Sequence, residues 1–229
     1  MPRLDNPVVL VTRPRDSAAQ FVAALTQVAG PFCPVISPAF ETVAVGAEIP
    51  PFEAVIFTSR AGVAFAPSGQ DRPAYCVGSA TAVAARAAGY SAISAAGNAD
   101  DLVDLILDRA PSESLLHIRG EVSQGNVRDR VQSAGLTCTE VIAYRKSTLT
   151  PTTEAATAFA DAQNIIVPVF SAETGSILAT WYVDFSKCHV VAISPAAAKS
   201  ARDLGAQSLV VATAPNMAEM VAATSRLIA

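Results

Sequence analysis

The 229-residue chain is predicted to be an α/β protein made of two parallel sheets. Three observations carry that expectation. Short apolar runs alternate with helix-length segments from end to end, several of those segments stop at a glycine, and one stretch near the middle recurs towards the C-terminus. Strand, helix, strand repeated this often argues for parallel sheets covered by helices on both faces.

Strands are expected at residues 8–11, 34–36, 54–57, 75–77, 115–118, 137–142, 165–169, 190–193 and 209–211. Each is a short apolar run bounded by polar, glycine or proline residues. Helical spacing lies between them: Leu102, Leu105 and Ile106 recur at three- and four-residue intervals, and Val83, Arg86, Ala87 and Tyr90 do so more weakly. Gly30, Gly89, Gly135 and Gly205 are suited to end helices in the left-handed conformation. Two further segments, 40–45 and 142–148, are extended and partly polar, close to Pro38, Pro50, Pro51 and Pro151. Their symmetric placement suggests one domain inserted into another. On this reading an outer α/β domain joins 1–38 to 149–229, an inserted α/β domain covers 47–140, and two antiparallel linker strands run over 39–46 and 141–148.

The recurrence supports the division. VGSATAVAARAAG at 77–89 aligns without gaps on ISPAAAKSARDLG at 193–205, with 5 of 13 positions identical. Upstream, Ser59 follows its strand as Ser171 follows another; downstream, Asn98 and Asn216 each stand where a side-chain oxygen caps the next helix. Two similar halves facing each other across a ligand cleft are expected.

Composition narrows the function. Net charge is -4 with both signs scattered, so a nucleic-acid partner, which calls for a basic stripe, is not expected. Mean hydropathy is +0.37, yet alanine fills 45 of the 229 positions and no run approaches the roughly 18 apolar residues of a spanning helix. The apolar run at 7–11 is too short for a secretory segment. A soluble, cytoplasmic monomer with no membrane contact is expected. Cys33, Cys76, Cys138 and Cys188 form no C-x-x-C and are read as buried reduced thiols. His117 and His189 lie in separate strand-like segments, and no metal is expected. A G-x-x-x-x-G-K-[ST] loop, a G-x-G-x-x-G turn and a G-x-S-x-G elbow are all missing from the sequence.

Ligands of open parallel sheets bind beyond the carboxyl ends of the strands, where helix N-termini aim free N–H groups. The residues at those ends are Thr12 and Arg13; Thr58, Ser59 and Arg60; Gly78, Ser79, Ala80 and Thr81; Arg119 and Gly120; Ser171; and Ser194, Pro195 and Ala196. They are small, hydroxylated or basic, with carboxylates absent from the turns, which suits an anionic ligand. The alternative is that these serines, threonines and glycines only cap helices. Tyr144, on the second linker segment, either projects its hydroxyl into the cleft as a proton donor or packs the linker strands together.

The motifs VLVTRP (9–14), AVIFTSRAGV (54–63), VGSATA (77–82), LHIRG (116–120), VIAYR (141–145), FS (170–171) and AISPA (192–196) follow one another in the order seen in uroporphyrinogen-III synthases, and the chain resembles that family over nearly its whole length. The resemblance implies two flavodoxin-like domains on a two-stranded connector. It also implies a cofactor-free lyase reaction on hydroxymethylbilane, a linear tetrapyrrole with eight carboxylates, in haem biosynthesis. The terminal hydroxyl leaves, the resulting azafulvene is attacked by the substituted carbon of the last pyrrole, and the spiro intermediate fragments and recloses with that pyrrole inverted. Tyr144 matches the connector tyrosine of the family, implied here to help the hydroxyl depart as general acid. Thr81 and Ser171 match positions lining the cleft; Arg13, Ser59, Arg60, Arg119 and Gly120 are carried over as substrate contacts, and Gly78, Ser79, Ala80, Ser194 and Ala196 join them as strand-end donors. Ala196 and Ala197 stand where many relatives have threonine, so a role there falls to backbone N–H groups. The stretch 63–73 is short for the usual helix. A non-catalytic module binding a tetrapyrrole or another polyanion is the competing reading.

Overall fold

The computed structural model describes residues 4–229. In chain order it contains β1 (Val8–Val11), α1 (Arg15–Thr26), β2 (Cys33–Ile36), β3 (Phe40–Ala44), β4 (Ala54–Phe57), α2 (Arg60–Ala64), β5 (Pro73–Cys76), α3 (Ser79–Ala87), β6 (Ser91–Ser94), α4 (Ala99–Arg109), β7 (Leu115–Gly120), α5 (Val127–Ser133) and β8 (Cys138–Thr148). There follow α6 (Thr153–Asp161), β9 (Ile165–Val169), α7 (Ala172–Leu178), β10 (Cys188–Ala192), α8 (Pro195–Ala201), β11 (Ser208–Val211) and α9 (Met217–Ser225). The chain divides into two compact units, Met1–Glu41 with Thr148–Ala229, and Thr42–Ser147.

The discontinuous unit holds a five-stranded sheet in the order β11-β10-β9-β1-β2, with every neighbouring pair parallel. Read from β2, the chain order is 2-1-3-4-5, the flavodoxin arrangement, whose direction reverses between β1 and β9. Alternation puts Leu10, Val167 and Val190 on one face against α6, α7 and α8, and Val9, Val11, Ile166 and Val191 on the other against α1 and α9. Phe21 of α1 is fully buried and meets Phe170 edge to face at 5.2 Å.

The continuous unit holds a six-stranded sheet, β3-β8-β7-β4-β5-β6. The pairs β7–β8, β4–β7, β4–β5 and β5–β6 are parallel. Read from β8, its parallel strands follow the same spatial plan as β2-β1-β9-β10-β11, with the chain entering at a different strand. The reversal falls between β4 and β7. The 77–89 and 193–205 repeat now has a physical meaning: α3 follows β5 and α8 follows β10, the equivalent strands of the two sheets. Val55, Phe57, Leu116 and Ile118 face α2 and α3, while Ala54, Ile56 and Leu115 face α4 and α5.

Several expectations need revision. Strand β6 was not anticipated, because Ser91-Ala92-Ile93-Ser94 is short and half polar; it is an edge strand held by its pairing to β5. The segments read as a strand at 137–142 and a linker at 142–148 are one continuous strand, β8. Gly89, Gly135 and Gly205 do take positive φ at helix ends, but Gly30 does not: α1 stops at Thr26 and is capped by Gln27 in the ordinary right-handed region. Gly30 is instead pressed on the backbone of Ala229, whose oxygen would lie 1.7 Å from an added Cβ. Cys76, Cys138 and Cys188 are buried free thiols, whereas Cys33 is exposed, because it opens the edge strand β2. Among the described residues no helix is long and apolar enough to cross a membrane, and no group of three or more His, Cys, Asp and Glu is arranged to hold a metal.

His117 belongs to the core of the continuous unit. It is 1% exposed, with Nε2 3.3 Å from Thr58 Oγ1 and Nδ1 without a partner. Burial pushes its pKa down to about 4.

This packing sets two expectations. Phe21→Ala should cost about 3–5 kcal/mol, read as a lower urea midpoint with circular dichroism; a loss under about 1 kcal/mol would mean that the site collapses around the gap. The unfolded chain binds a proton on His117 near the ordinary imidazole value while the folded chain does so only near pH 4, so stability should fall as pH drops between those values. His117→Asn should narrow the gap between urea midpoints measured at about pH 7 and about pH 5. An unchanged gap would assign acid sensitivity to other groups.

Candidate functional site

The carboxyl ends of β4 and β7 flank the reversal of strand order in the continuous unit, where open α/β sheets take ligands. Ser59 follows β4 and caps α2: its backbone is extended (φ -157°, ψ 160°) and its Oγ accepts the Gly62 N–H at 3.1 Å. The same Oγ shares a hydrogen bond of 2.6 Å with the hydroxyl of Tyr144.

Tyr144 reaches Ser59 because of an irregularity in β8. Arg119 of β7 pairs with Ile142, but the next residue, Gly120, pairs with Tyr144, leaving Ala143 as a surplus residue. Side chains alternate along a strand, so without that surplus Tyr144 would share the face of Glu140 and Ile142. The surplus turns it to the α2 and α3 face, where it joins the core cluster with Val63, Ile118 and Ala143. There its ring stacks on Phe65 at 5.3 Å and 18° and lies against Gly120. A Cβ on Gly120 would sit 2.6 Å from Tyr144 Cε2, so only glycine fits. The Glu121 N–H donates to the Tyr144 carbonyl at 2.9 Å.

Behind this arrangement, on the opposite face, Arg119 fastens β7 to β8. Its Nε and Nη2 donate to the two carboxylate oxygens of Glu140 at 2.9 and 2.8 Å, and Nη1 donates to the carbonyls of Gly120 and Glu121. Arg128 adds a second cation at 3.1 Å from Glu140. The Arg119 hydrogen bond, with the two positive charges, holds the Glu140 carboxyl below its ordinary range. A polar cavity of about 230 Å³ opens beside this cluster, lined by His117, Arg119, Asn126, Arg128 and Glu140. Both of its arginines are already paired to carboxylates, Arg119 to Glu140 and Arg128 to Asp129 and Glu140.

The other expected site residues divide into three kinds. Ser59, Ser171 and Ser194 are all side-chain caps, of α2, α7 and α8, accepting N–H groups of Gly62, Thr174 and Ala197. Arg119 has its guanidinium committed to Glu140 and two carbonyls, so it stands as a fastener of the strand ends and not as a hand open to a carboxylate. Helix α3 differs from α2, α7 and α8: Gly78 provides no side-chain cap, Ser79 and Ala80 are exposed, and nothing lies within 4 Å of a Cβ added at Gly78. Thr81 is buried one turn further in. Arg60, in the first turn of α2, and Ala196, in the first turn of α8, are exposed. In the discontinuous unit Arg13 lies over the Phe170 ring at 4.2 Å, next to the Ser171 cap. Sequence reasoning missed Phe65, Glu140 and the surplus residue; Glu140, the lone acid of β8, was the one visible hint.

Comparison with known proteins bears on this arrangement. The crystal structure of uroporphyrinogen-III synthetase from Helicobacter pylori aligns over 97% of this chain and 99% of that chain, with a TM-score of 0.64 at 15% identity. A mutant uroporphyrinogen III synthase from the extremely thermophilic bacterium Thermus thermophilus aligns over 96% and 98%, at 16% identity and a TM-score of 0.46. The Helicobacter pylori protein and this chain share a fold. No curated protein matches the sequence. The family described as uroporphyrinogen-III synthase HemD matches residues 20–222. The chain belongs to the uroporphyrinogen-III synthase family.

Proposed function

We propose that this chain closes hydroxymethylbilane to the type III macrocycle with loss of water and inversion of the terminal pyrrole, with Tyr144 as general acid. Family membership supports an enzyme of tetrapyrrole biosynthesis, a lyase acting on a small molecule. The observation that carries the assignment of Tyr144 is its hydroxyl, fixed by Ser59 at 2.6 Å beside the carboxyl ends of β4 and β7. A hydroxyl is a poor leaving group. Protonation of its oxygen as the carbon–oxygen bond breaks lets it depart as water and leaves the azafulvene electrophile.

The substrate also closes unaided, to the wrong isomer, so the protein must favour one folded conformer more than it must lower the barrier. Its eight carboxylates call for donors, and the N-terminal amides of α3 at Gly78, Ser79 and Ala80, uncapped by a side chain, supply them together with the helix dipole, while the Thr81 N–H is taken by the Gly78 carbonyl and leaves Thr81 its side chain. Arg60 adds an exposed cation nearby in sequence to Ser59. In the discontinuous unit the donors are of another build: the Arg13 guanidinium, and the first turns of α7 and α8 at Ser171, Ser194 and Ala196, where the serines also cap their helices. Gly120 gives the tyrosine ring its place, and Arg119 holds Gly120. No observation favours the non-catalytic binding reading. We further propose a cytoplasmic location and a monomer.

Purified protein given freshly generated hydroxymethylbilane, with no metal or nucleotide added, should yield the type III isomer, read by chromatography of the oxidised porphyrins. Type I product at the spontaneous rate would defeat the assignment. Tyr144→Phe should lower kcat by about 10²-fold or more while circular dichroism and thermal melting stay close to the parent. Unchanged turnover would remove Tyr144 from the chemistry.

A further inference from the structure

We propose that Ser59 is a positioning residue for the reaction, acting through Tyr144: it aims the phenol hydroxyl and then donates its own O–H to the oxygen that Tyr144 leaves behind. This rests on the reading of Tyr144 as general acid, and goes beyond it by assigning the group that makes the acid work.

The geometry leaves Ser59 few alternatives. Its hydroxyl has one hydrogen and two lone pairs. One lone pair is taken by the Gly62 N–H at 3.1 Å, which also fixes where Oγ stands. What remains, one lone pair and the hydrogen, is directed at a single neighbour, Tyr144 at 2.6 Å. The tyrosine ring has no freedom to turn away, lying against Phe65 on one side and Gly120 on another. Before reaction the shared bond holds the phenol oxygen in place. As the carbon–oxygen bond of the substrate breaks, the phenol proton goes to the departing oxygen, water leaves, and the phenol becomes a phenolate. The Ser59 O–H, which turned to the phenol oxygen as the phenol proton turned to the substrate, holds that anion with a charge-assisted hydrogen bond. The phenolate regains its proton when the free α-carbon of the last pyrrole, having closed the ring, sheds its hydrogen. Protons balance over the cycle, and the serine is unchanged.

A role as helix cap alone, or as a direct contact for substrate, predicts different kinetics. The test is a double-mutant cycle with Ser59→Ala and Tyr144→Phe, measuring kcat and KM for type III formation. Ser59→Ala should lower kcat about tenfold with KM nearly unchanged, and in the Tyr144→Phe background it should add no further loss. Ser59→Thr, which keeps the hydroxyl, should restore kcat to within a few-fold. Ser59→Gly, tolerated at helix N-caps, serves where Ser59→Ala folds poorly. Equal losses from Ser59→Ala in both backgrounds, or a rise in KM with kcat intact, would overturn the proposal while sparing Tyr144. Parental kcat in Tyr144→Phe would overturn the tyrosine assignment, and this inference with it.

Discussion

Side chains along a strand alternate faces with a period of two, and β8 breaks that period once, at Ala143. The chemistry proposed for this chain depends on the break. An in-register strand would send Tyr144 to the face of Glu140, among the charges of Arg119 and Arg128. The extra residue delivers it to the apolar face, against Phe65 and within reach of Ser59. Three other features serve this one displacement. Gly120 leaves room for the ring, Arg119 pins the two carbonyls just past the irregularity, and Glu140 holds Arg119 in place.

Much of the fold was legible because buried parallel strands are written as continuous apolar runs. β4 and β9 stand where Ala54–Phe57 and Ile165–Val169 announced them, and Asn98 and Asn216 both cap helices. Legibility failed where local pattern is weak or contact is distant. Ser91–Ser94 becomes a strand through its partner, not its own composition. Gly30 answers to the far end of the chain. At the site, the residue types at the strand ends were readable, yet their duties were not. Whether a serine caps a helix or an arginine is already engaged depends on neighbours brought from elsewhere, as with Arg119 and Glu140 across two strands. The surplus at Ala143 has no sequence signature, since Ile142, Ala143 and Tyr144 fit an unbroken strand equally well.

An acidic chain proposed to take a polyanion needs an electrostatic account. Its cations near the strand ends are mostly occupied: Arg119 and Arg128 by Glu140, Arg13 over Phe170. Main-chain amides and dipole ends carry no net charge, so they can bind carboxylates without attracting anions indiscriminately. They are also fixed by the helix that bears them, which suits a task in which the shape imposed on a flexible molecule matters more than the strength of the grip.

The discontinuous sheet has a consequence for synthesis on the ribosome. β1 finds one of its two neighbours, β9, only across the whole of the continuous unit, as in the pairing of Val8 with Ile165. At about 5–20 residues per second, the nascent chain holds β1 with that side open for roughly ten to thirty seconds. Meanwhile Thr42–Ser147 emerges complete and is free to close its own sheet first. Val9, Leu10 and Val11, all buried in the finished protein, therefore wait with one edge unpaired until β9 has been made.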